Sequence, residues 1–136
     1  MRLHRVLPLA LVVFQVVLLT ACQPPLDVTL ASSNERLPGP AFVVDEPSQD
    51  GGPPRYDVIR VVTEEGKTVW HVRAPSFGGT RGRRVVYGEA PEGFETVQPP
   101  QALEGGRLYS IGVSGEGSGA LRFVVGQDGS VRPEKE

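Results

Sequence analysis

The chain has 136 residues, of which 14 are basic and 16 acidic, so its formal net charge is −2. This length suits one domain with one hydrophobic core. The charge balance argues against a nucleic-acid-binding protein, which would show a clustered basic excess. Because Cys22 is the only cysteine, an intrachain disulfide and a cysteine-based zinc site are both excluded.

The first 21 residues have the layout of a secretory signal peptide. Met1 to Arg5 is short and basic, and residues 6–19 are almost entirely apolar. This apolar run is shorter than the about 20 residues that a helix needs to cross a bilayer. We therefore predict that residues 1–21 form a signal helix that is cleaved. Cleavage removes Arg2 and Arg5 and leaves 115 residues with a net charge near −4.

The sequence Leu19-Thr20-Ala21-Cys22 resembles the lipobox of bacterial lipoproteins, in which a branched apolar residue and two small residues precede an obligatory cysteine. Only a thiol can form the thioether to diacylglycerol. The resemblance implies a mature chain that starts at acylated Cys22, with enough acyl chains for stable anchoring. Gln23, in place of aspartate, implies sorting to the periplasmic face of the outer membrane rather than retention in the inner membrane. The alternatives are a free cysteine after an ordinary signal and a buried core cysteine.

Residues 22–55 are rich in proline, glycine and serine, and we predict that they form a disordered tether after the acylated cysteine. Prolines remove backbone donors and favour extended conformations in the residues before them, so no helix is expected here. A flexible coil of this length spans about 30 Å, which would hold the domain clear of the membrane. Alternatively, two short apolar pieces, Leu26–Leu30 and Ala41–Val44, dock on the domain as edge strands.

From Tyr56 onward, short runs rich in Val, Ile, Tyr and Trp recur between turn signals, which predicts an all-β domain over residues 56–131. The predicted strands are Tyr56–Thr63, Thr68–Ala74, Val85–Tyr87, Arg107–Ser114 and Ala120–Val125, with Phe94–Val97 as a brief edge and Ser130–Val131 as a last short strand. Alternation along the strands places these side chains in the core: Trp70, Val72, Ala74, Tyr109, Ile111, Val113, Leu121, Phe123 and Val125. Residues 132–136 are expected to fray.

A second resemblance covers Lys67 to Val125. Leu103 lies six residues before Tyr109, which resembles the tyrosine corner of immunoglobulin-like and fibronectin type III sandwiches, where a tyrosine hydroxyl bonds to the backbone. Trp70 followed by Val85-Val86-Tyr87 likewise resembles the tryptophan strand of fibronectin type III and the strand after it. The resemblance implies a single small antiparallel β-sandwich. The alternative is a generic β-sheet with a core tyrosine, and residues 88–103 depart from the family pattern.

No residue is predicted to be catalytic. His71 is the only histidine after cleavage, and its position within a strand favours a structural role over that of a general base. The run from Gly115 to Gly119 leads into a strand rather than a helix, which favours a hairpin over a phosphate-binding loop. The acidic pairs Glu64-Glu65 and Glu92 with Glu95 are interpreted as solvated turn residues, although paired carboxylates also occur in glycosidases.

Five residues are candidates for binding a partner: Phe77, Arg81, Arg83, Arg84 and Phe94. The arginines could bind phosphate or carboxylate groups of an envelope polymer, because the guanidinium fork matches such groups. Alternatively, they solubilise an exposed loop and strand edge. The two phenylalanines could contact a protein or sugar partner, or they could pack back on the core as loop anchors.

Together these features predict a membrane-anchored bacterial lipoprotein whose β-sandwich has a binding or structural role in the cell envelope. Cys22 is the lipid-attachment residue, and the membrane is the first partner, with an envelope protein or polymer as a further one. No cofactor, metal ion or nucleic acid is expected. The alternative function is a carboxylate-based envelope hydrolase, which requires converging acids with displaced pKa values in a concave pocket.

Overall fold

The computed structural model describes residues 23–135, so the predicted signal peptide, Cys22 and Glu136 lie outside the described residues. Within residues 23–135 the regular structure is nine strands and one short 3-10 turn, Pro47–Gln49. The strands are β1 (Asp27–Leu30), β2 (Ala41–Asp45), β3 (Val58–Thr63), β4 (Thr68–Arg73), β5 (Arg84–Val86), β6 (Glu95–Gln98), β7 (Leu108–Ser114), β8 (Ser118–Val125) and β9 (Val131–Pro133). In this part of the chain there is no helix of the length and apolar character that a bilayer crossing requires.

The strands form two antiparallel sheets that pack face to face, which confirms the predicted all-β sandwich. One sheet has the order β1-β2-β5 and the other β6-β4-β3-β7-β8-β9. Aromatic pairs join the two sheets across the core: the ring centroids of Phe42 and Phe123 lie 5.3 Å apart, as do those of Trp70 and Tyr87.

Alternation along the strands fills the core as predicted, with two departures: Leu121 on β8 is only half-buried, and one further side chain of β4 is buried. Trp70 and Val72 are buried, but so is Val69, which alternation placed on the outer face with His71 and Arg73. The backbone N–H of Gln101 donates to the carbonyl of Val69 at 2.9 Å. The segment between β6 and β7 therefore crosses the start of β4 and covers a side chain that would otherwise meet solvent.

Two tyrosine hydroxyls fix this crossing segment. The backbone N–H of Glu104 donates to the hydroxyl of Tyr109 at 2.9 Å, and Leu103 is buried beside it. The hydroxyl of Tyr87 donates to the carbonyl of Gln101 at 2.5 Å. The first of these bonds has the geometry of the tyrosine corner that the spacing of Leu103 and Tyr109 predicted.

The prediction of a disordered tether over residues 22–55 is wrong for most of its length. Residues 27–30 and 41–45 form β1 and β2, and Val28, Phe42 and Val44 are buried in the core. Prolines stand in the loops before these strands, where no ladder hydrogen bond is lost, so they delimit the strands without preventing them. The alternative of docked strands is the one found, but β2 is the central strand of its sheet rather than an edge.

The glycine-rich β7–β8 hairpin lies against the first residues of the described chain. The backbone N–H of Leu26 donates to the carbonyl of Ser118 at 3.1 Å. A Cβ added to Gly119 would lie 2.1 Å from the carbonyl oxygen of Leu26, and one added to Gly117 would lie 1.5 Å from that of Pro24. These glycines therefore serve a close approach between two backbones as well as a turn.

The carboxyl-terminal tail is more ordered than the sequence predicts. Residues 132 and 133 belong to β9, which pairs with β8. The backbone N–H of Glu134 donates to the carbonyl of Arg122 at 2.9 Å, and its carboxylate lies 2.7 Å from the guanidinium of that residue. The expectation that residues 132–136 fray is thus wrong as far as Glu134, because both the edge of β8 and a surface ion pair hold the chain.

Candidate functional site

The five predicted partner-binding residues all lie at one end of the sandwich. We call this the entry end, because the described chain enters the fold there; it comprises the start of β1, the β7–β8 turn and segments 46–57, 74–84 and 91–94. Backbone hydrogen bonds connect its parts: Ala74 N–H to the Asp57 carbonyl at 2.7 Å, and Asp57 N–H to the Ser114 carbonyl at 2.8 Å. Cys22, the predicted lipid-attachment residue, precedes this end by four positions of sequence but lies outside the described residues.

Arg81 is used inside the entry end rather than presented to solvent. Its side chain is 13% exposed and its guanidinium lies 2.9 Å from the carboxylate of Asp57. It also donates to the backbone carbonyls of Tyr56 at 2.8 Å and Ser76 at 3.0 Å. Arg81 thereby fastens the loop after β4 to the start of β3.

Phe94 packs back on this brace as a loop anchor, the alternative considered from the sequence. It is half-buried, and its ring centroid lies 5.8 Å from that of Tyr56. The Arg81 guanidinium carbon lies 5.1 Å from the Phe94 ring centroid, which is within the range of a cation–π contact. Phe94 therefore presents only part of its ring to solvent.

Arg83 and Arg84 differ in what surrounds them. Arg83 pairs with the carboxylate of Asp45 at 3.0 Å and donates to the carbonyl of Gly52 at 2.9 Å. Arg84 is exposed on β5, a border strand of the three-stranded sheet, and forms no ion pair among residues 23–135. Of the three arginines, Arg84 alone keeps its charge free of a partner within the described chain.

Phe77 is the most exposed large hydrophobic side chain of the described residues, at 83%. The loop that carries it is held on both sides. The carbonyl of Ser76 accepts from Arg81, and the backbone N–H of Gly78 donates to the carboxylate of Asp57 at 3.4 Å. The ring of Phe77 thus stands outward on a loop that is tied to the core.

A buried ion cluster at the same end was missed by the sequence analysis. The Glu46 side chain is 2% exposed, and its carboxylate lies 2.6 Å from the Arg55 guanidinium. It also accepts from the Arg55 backbone at 3.0 Å and from the Ser48 hydroxyl at 2.9 Å. The Arg55 side chain, through its hydrogen bond, is the main reason that the pKa of Glu46 falls to about 2 despite burial. Arg55 also pairs with Glu116 at 3.0 Å, fastening segment 46–55 to the β7–β8 turn.

The opposite end, which we call the distal end, carries an open and largely apolar groove of about 620 Å³. Pro38, Val86, Tyr87, Pro100 and Ala102 are among the residues that line it. The Tyr87 hydroxyl is engaged by the Gln101 carbonyl, and burial raises the pKa of Tyr87 to about 12. The groove therefore offers an apolar contact surface. The hydroxyl of Tyr87 in its lining is already hydrogen-bonded to the Gln101 carbonyl.

The titratable residues that the sequence analysis considered for catalysis are distributed over the surface. Glu95 pairs with Arg73 at 3.0 Å, and Glu65 lies 3.4 Å from Arg107. His71 lies within β4, where burial and then the charges of neighbouring arginines lower its pKa. No group of three or more histidine, cysteine, aspartate or glutamate side chains within residues 23–135 is arranged to hold a metal ion.

Comparisons of the chain with protein-family models, with curated proteins and with solved structures found no match.

Proposed function

We propose that the chain is a lipid-anchored protein of a bacterial envelope, acylated on Cys22 after removal of residues 1–21. The observation that carries the proposal is the order of features at its start: a basic stretch, an apolar run, a small pair and then the only cysteine. Gln23 after the cysteine directs the protein to the periplasmic face of the outer membrane. The β-sandwich then has a binding or structural role in the envelope.

The position of the folded body supports this proposal. Among the described residues the core begins at Leu26, while Gln23 and Pro25 are exposed. A short exposed stretch thus separates the proposed attachment residue from the first core residue. The sandwich core therefore does not have to accommodate an acylated residue 22.

The acidic residues support a binding or structural role over hydrolysis. Hydrogen bonds with its own backbone and with the Thr63 hydroxyl lower the pKa of Glu65, and Arg107 adds to the effect. A general acid needs the opposite shift, towards neutral pH. Glu46 likewise has a lowered pKa and is enclosed by its partners. The carboxylates of Glu46 and Glu65 are suited to fastening loops, and neither has the raised pKa that a general acid needs.

Acyl transfer to the cysteine is tested by labelling cells with radioactive palmitate. The natural chain should incorporate label and should float with membranes in a density gradient, whereas Cys22→Ser should do neither. Equal labelling of the two chains would refute the proposal.

Sorting is tested with Gln23→Asp, which keeps the cysteine and its preceding residues intact. We expect this variant to remain labelled but to move from the outer-membrane fraction to the inner-membrane fraction. An unchanged distribution would refute the proposed destination and leave the anchor in place.

A further inference from the structure

We propose that the entry end rests against the membrane that holds Cys22, and that the ring of Phe77 enters the lipid interface there. This inference rests on the proposed acylation of Cys22, and it adds an orientation and a second point of membrane contact. It replaces the expectation of a domain held clear of the bilayer.

The first argument is the reach of the chain. Leu26 is fastened by its hydrogen bond to Ser118 and by burial in the core. Four residue steps separate it from Cys22, and Pro24 and Pro25 lie between them. A proline-stiffened segment rises about 3.1 Å per residue, so the Cα atoms of Cys22 and Leu26 are expected to lie about 12 Å apart. The entry end therefore cannot move far from the headgroups.

The second argument is the place of Phe77 on that end. Its loop follows β4, and β3 and β7 lie between β4 and β8. At about 4.8 Å between neighbouring strands, the loop is offset from the start of β8 by about 14 Å across the sheet. The anchor and Phe77 therefore occupy the same surface and can meet one flat membrane together.

The third argument is how the loop is built. Arg81 and Asp57 hold the backbone on both sides of Phe77, so the loop cannot move onto the core without breaking that brace. Phe94, on the same brace, is packed inward. The loop thus gives one aromatic ring to the core and directs the other outward, at the end where lipid is nearest. Aromatic and apolar side chains are the ones that insert at the headgroup–acyl boundary.

The ion pairing of the arginines at the entry end indicates that its contact with the membrane is apolar rather than electrostatic. The guanidinium groups of Arg55, Arg81 and Arg83 each lie within 3.0 Å of a carboxylate. Neutralised in this way, they add little attraction for anionic headgroups. Of the arginines singled out at this end, only Arg84 has no ion-pair partner among residues 23–135, which leaves a single guanidinium for such attraction. We therefore expect Phe77 to enter zwitterionic phosphatidylcholine, with little dependence on salt.

The test uses the full acylated chain with Phe77→Cys. The sulfur of Cys22 is blocked as a thioether, so the new thiol is the only free one and can carry an environment-sensitive NBD label. The matched control is Glu64→Cys, an exposed residue in the β3–β4 turn at the distal end. Both proteins are reconstituted in phosphatidylcholine vesicles with and without brominated acyl chains.

A label at position 77 should lose about half of its emission to brominated lipid, because insertion of 5–10 Å places it at the acyl boundary. The label at position 64 should be unaffected. A second variant carries about twenty Gly and Ser residues after Gln23, which keeps the anchor and lengthens the reach. Its quenching at position 77 should fall towards that of the control.

Three results would overturn the inference. A vesicle-bound protein whose label at 77 is not quenched would refute the orientation while the anchor stands. Quenching that appears only with anionic lipid would refute the apolar contact. Shielding of the label only when envelope proteins are added would show that Phe77 binds protein. A chain that does not float, with an unmodified Cys22 thiol, would refute the acylation itself.

Discussion

Replacing Glu46 by glutamine tests whether the buried ion cluster stabilises the entry end through its charge. The variant keeps the shape of the side chain and can still contact Ser48 and the Arg55 backbone. It loses the charge that faces the Arg55 guanidinium at 2.6 Å. The experiment therefore isolates the electrostatic part of the cluster.

The expected magnitude follows from the pKa of Glu46, which is lowered from 4.5 to about 2. At about 1.4 kcal/mol per pKa unit, this difference sets an upper limit of about 3 kcal/mol on the contribution of the charge to folding. Water reaches the partly exposed Arg55, and glutamine retains some hydrogen bonds. We therefore expect Glu46→Gln to lower the free energy of unfolding at pH 7 by about 1–2 kcal/mol.

The pH dependence gives the sharper test. Because the pKa is lower in the folded state than in the unfolded state, the contribution is complete above about pH 5 and is lost as the pH falls towards 2. The difference between the natural chain and the variant should therefore be constant from pH 5 to 8 and should vanish near pH 2.

Urea unfolding of a chain that starts at residue 22 with Cys22→Ser would measure this difference. Trp70 is the only tryptophan and is buried, so its fluorescence reports on the core. The control is Glu64→Gln, which removes an exposed carboxylate at the distal end and should change little. A loss of equal size at pH 3 and pH 7, or no loss at pH 7, would refute the reasoning.

Three further substitutions test other contacts by the same unfolding assay at pH 7. Tyr109→Phe leaves a backbone N–H of the crossing segment without its acceptor and should cost about 1–2 kcal/mol; a neutral result would remove the tyrosine corner as a stabilising feature. Arg81→Leu leaves the buried carboxylate of Asp57 without its cation and should cost about 3 kcal/mol, whereas a cost below that of Tyr109→Phe would contradict its role as a brace. Gly119→Ala places a methyl group 2.1 Å from the Leu26 carbonyl, so limited proteolysis should cut β1 faster than in the natural chain; equal rates would show that the hairpin tolerates the displacement.

Strands β3 and β7 and the second half of β8 could be predicted because buried residues alternate along them with more exposed ones. Tyr109, Ile111 and Val113 recur with the period of two that a half-buried strand requires, and Phe123 and Val125 repeat it on β8. Local pattern carries this information without any knowledge of the neighbouring strands. The spacing of Leu103 and Tyr109 added the hydrogen bond between the Tyr109 hydroxyl and the backbone upstream of it.

The first sheet could not be predicted with the same security. β1 buries Val28 among only four residues, too short a strand for alternation to be recognised. It pairs with β2, and the residues just before it lie against the backbone surface left open by Gly117 and Gly119, more than eighty residues later in the chain. A glycine-rich turn has the same local sequence whether or not another strand lies across it.

The sequence identified several residues of the candidate site but not the contacts that these residues make. The sequence singled out Arg81 for its guanidinium group and Phe94 for its aromatic ring, yet the structure uses both to brace a loop. Their partners, Asp57 and Tyr56, come from the start of β3. Glu46 and Arg55 were not recognised at all, because an ion pair between loop residues nine positions apart has no periodic pattern that would reveal it.

The direction in which β1 leaves the entry end has a mechanical consequence. β1 runs from Asp27 towards the distal end and pairs antiparallel with β2 along its length. Tension applied at the first residues of the mature chain would pull along the axis of this strand, at right angles to its interstrand hydrogen bonds. Those bonds would share the force in shear instead of opening one after another, so a domain anchored at its amino terminus would resist the extraction of β1 from its sheet by a pulling force.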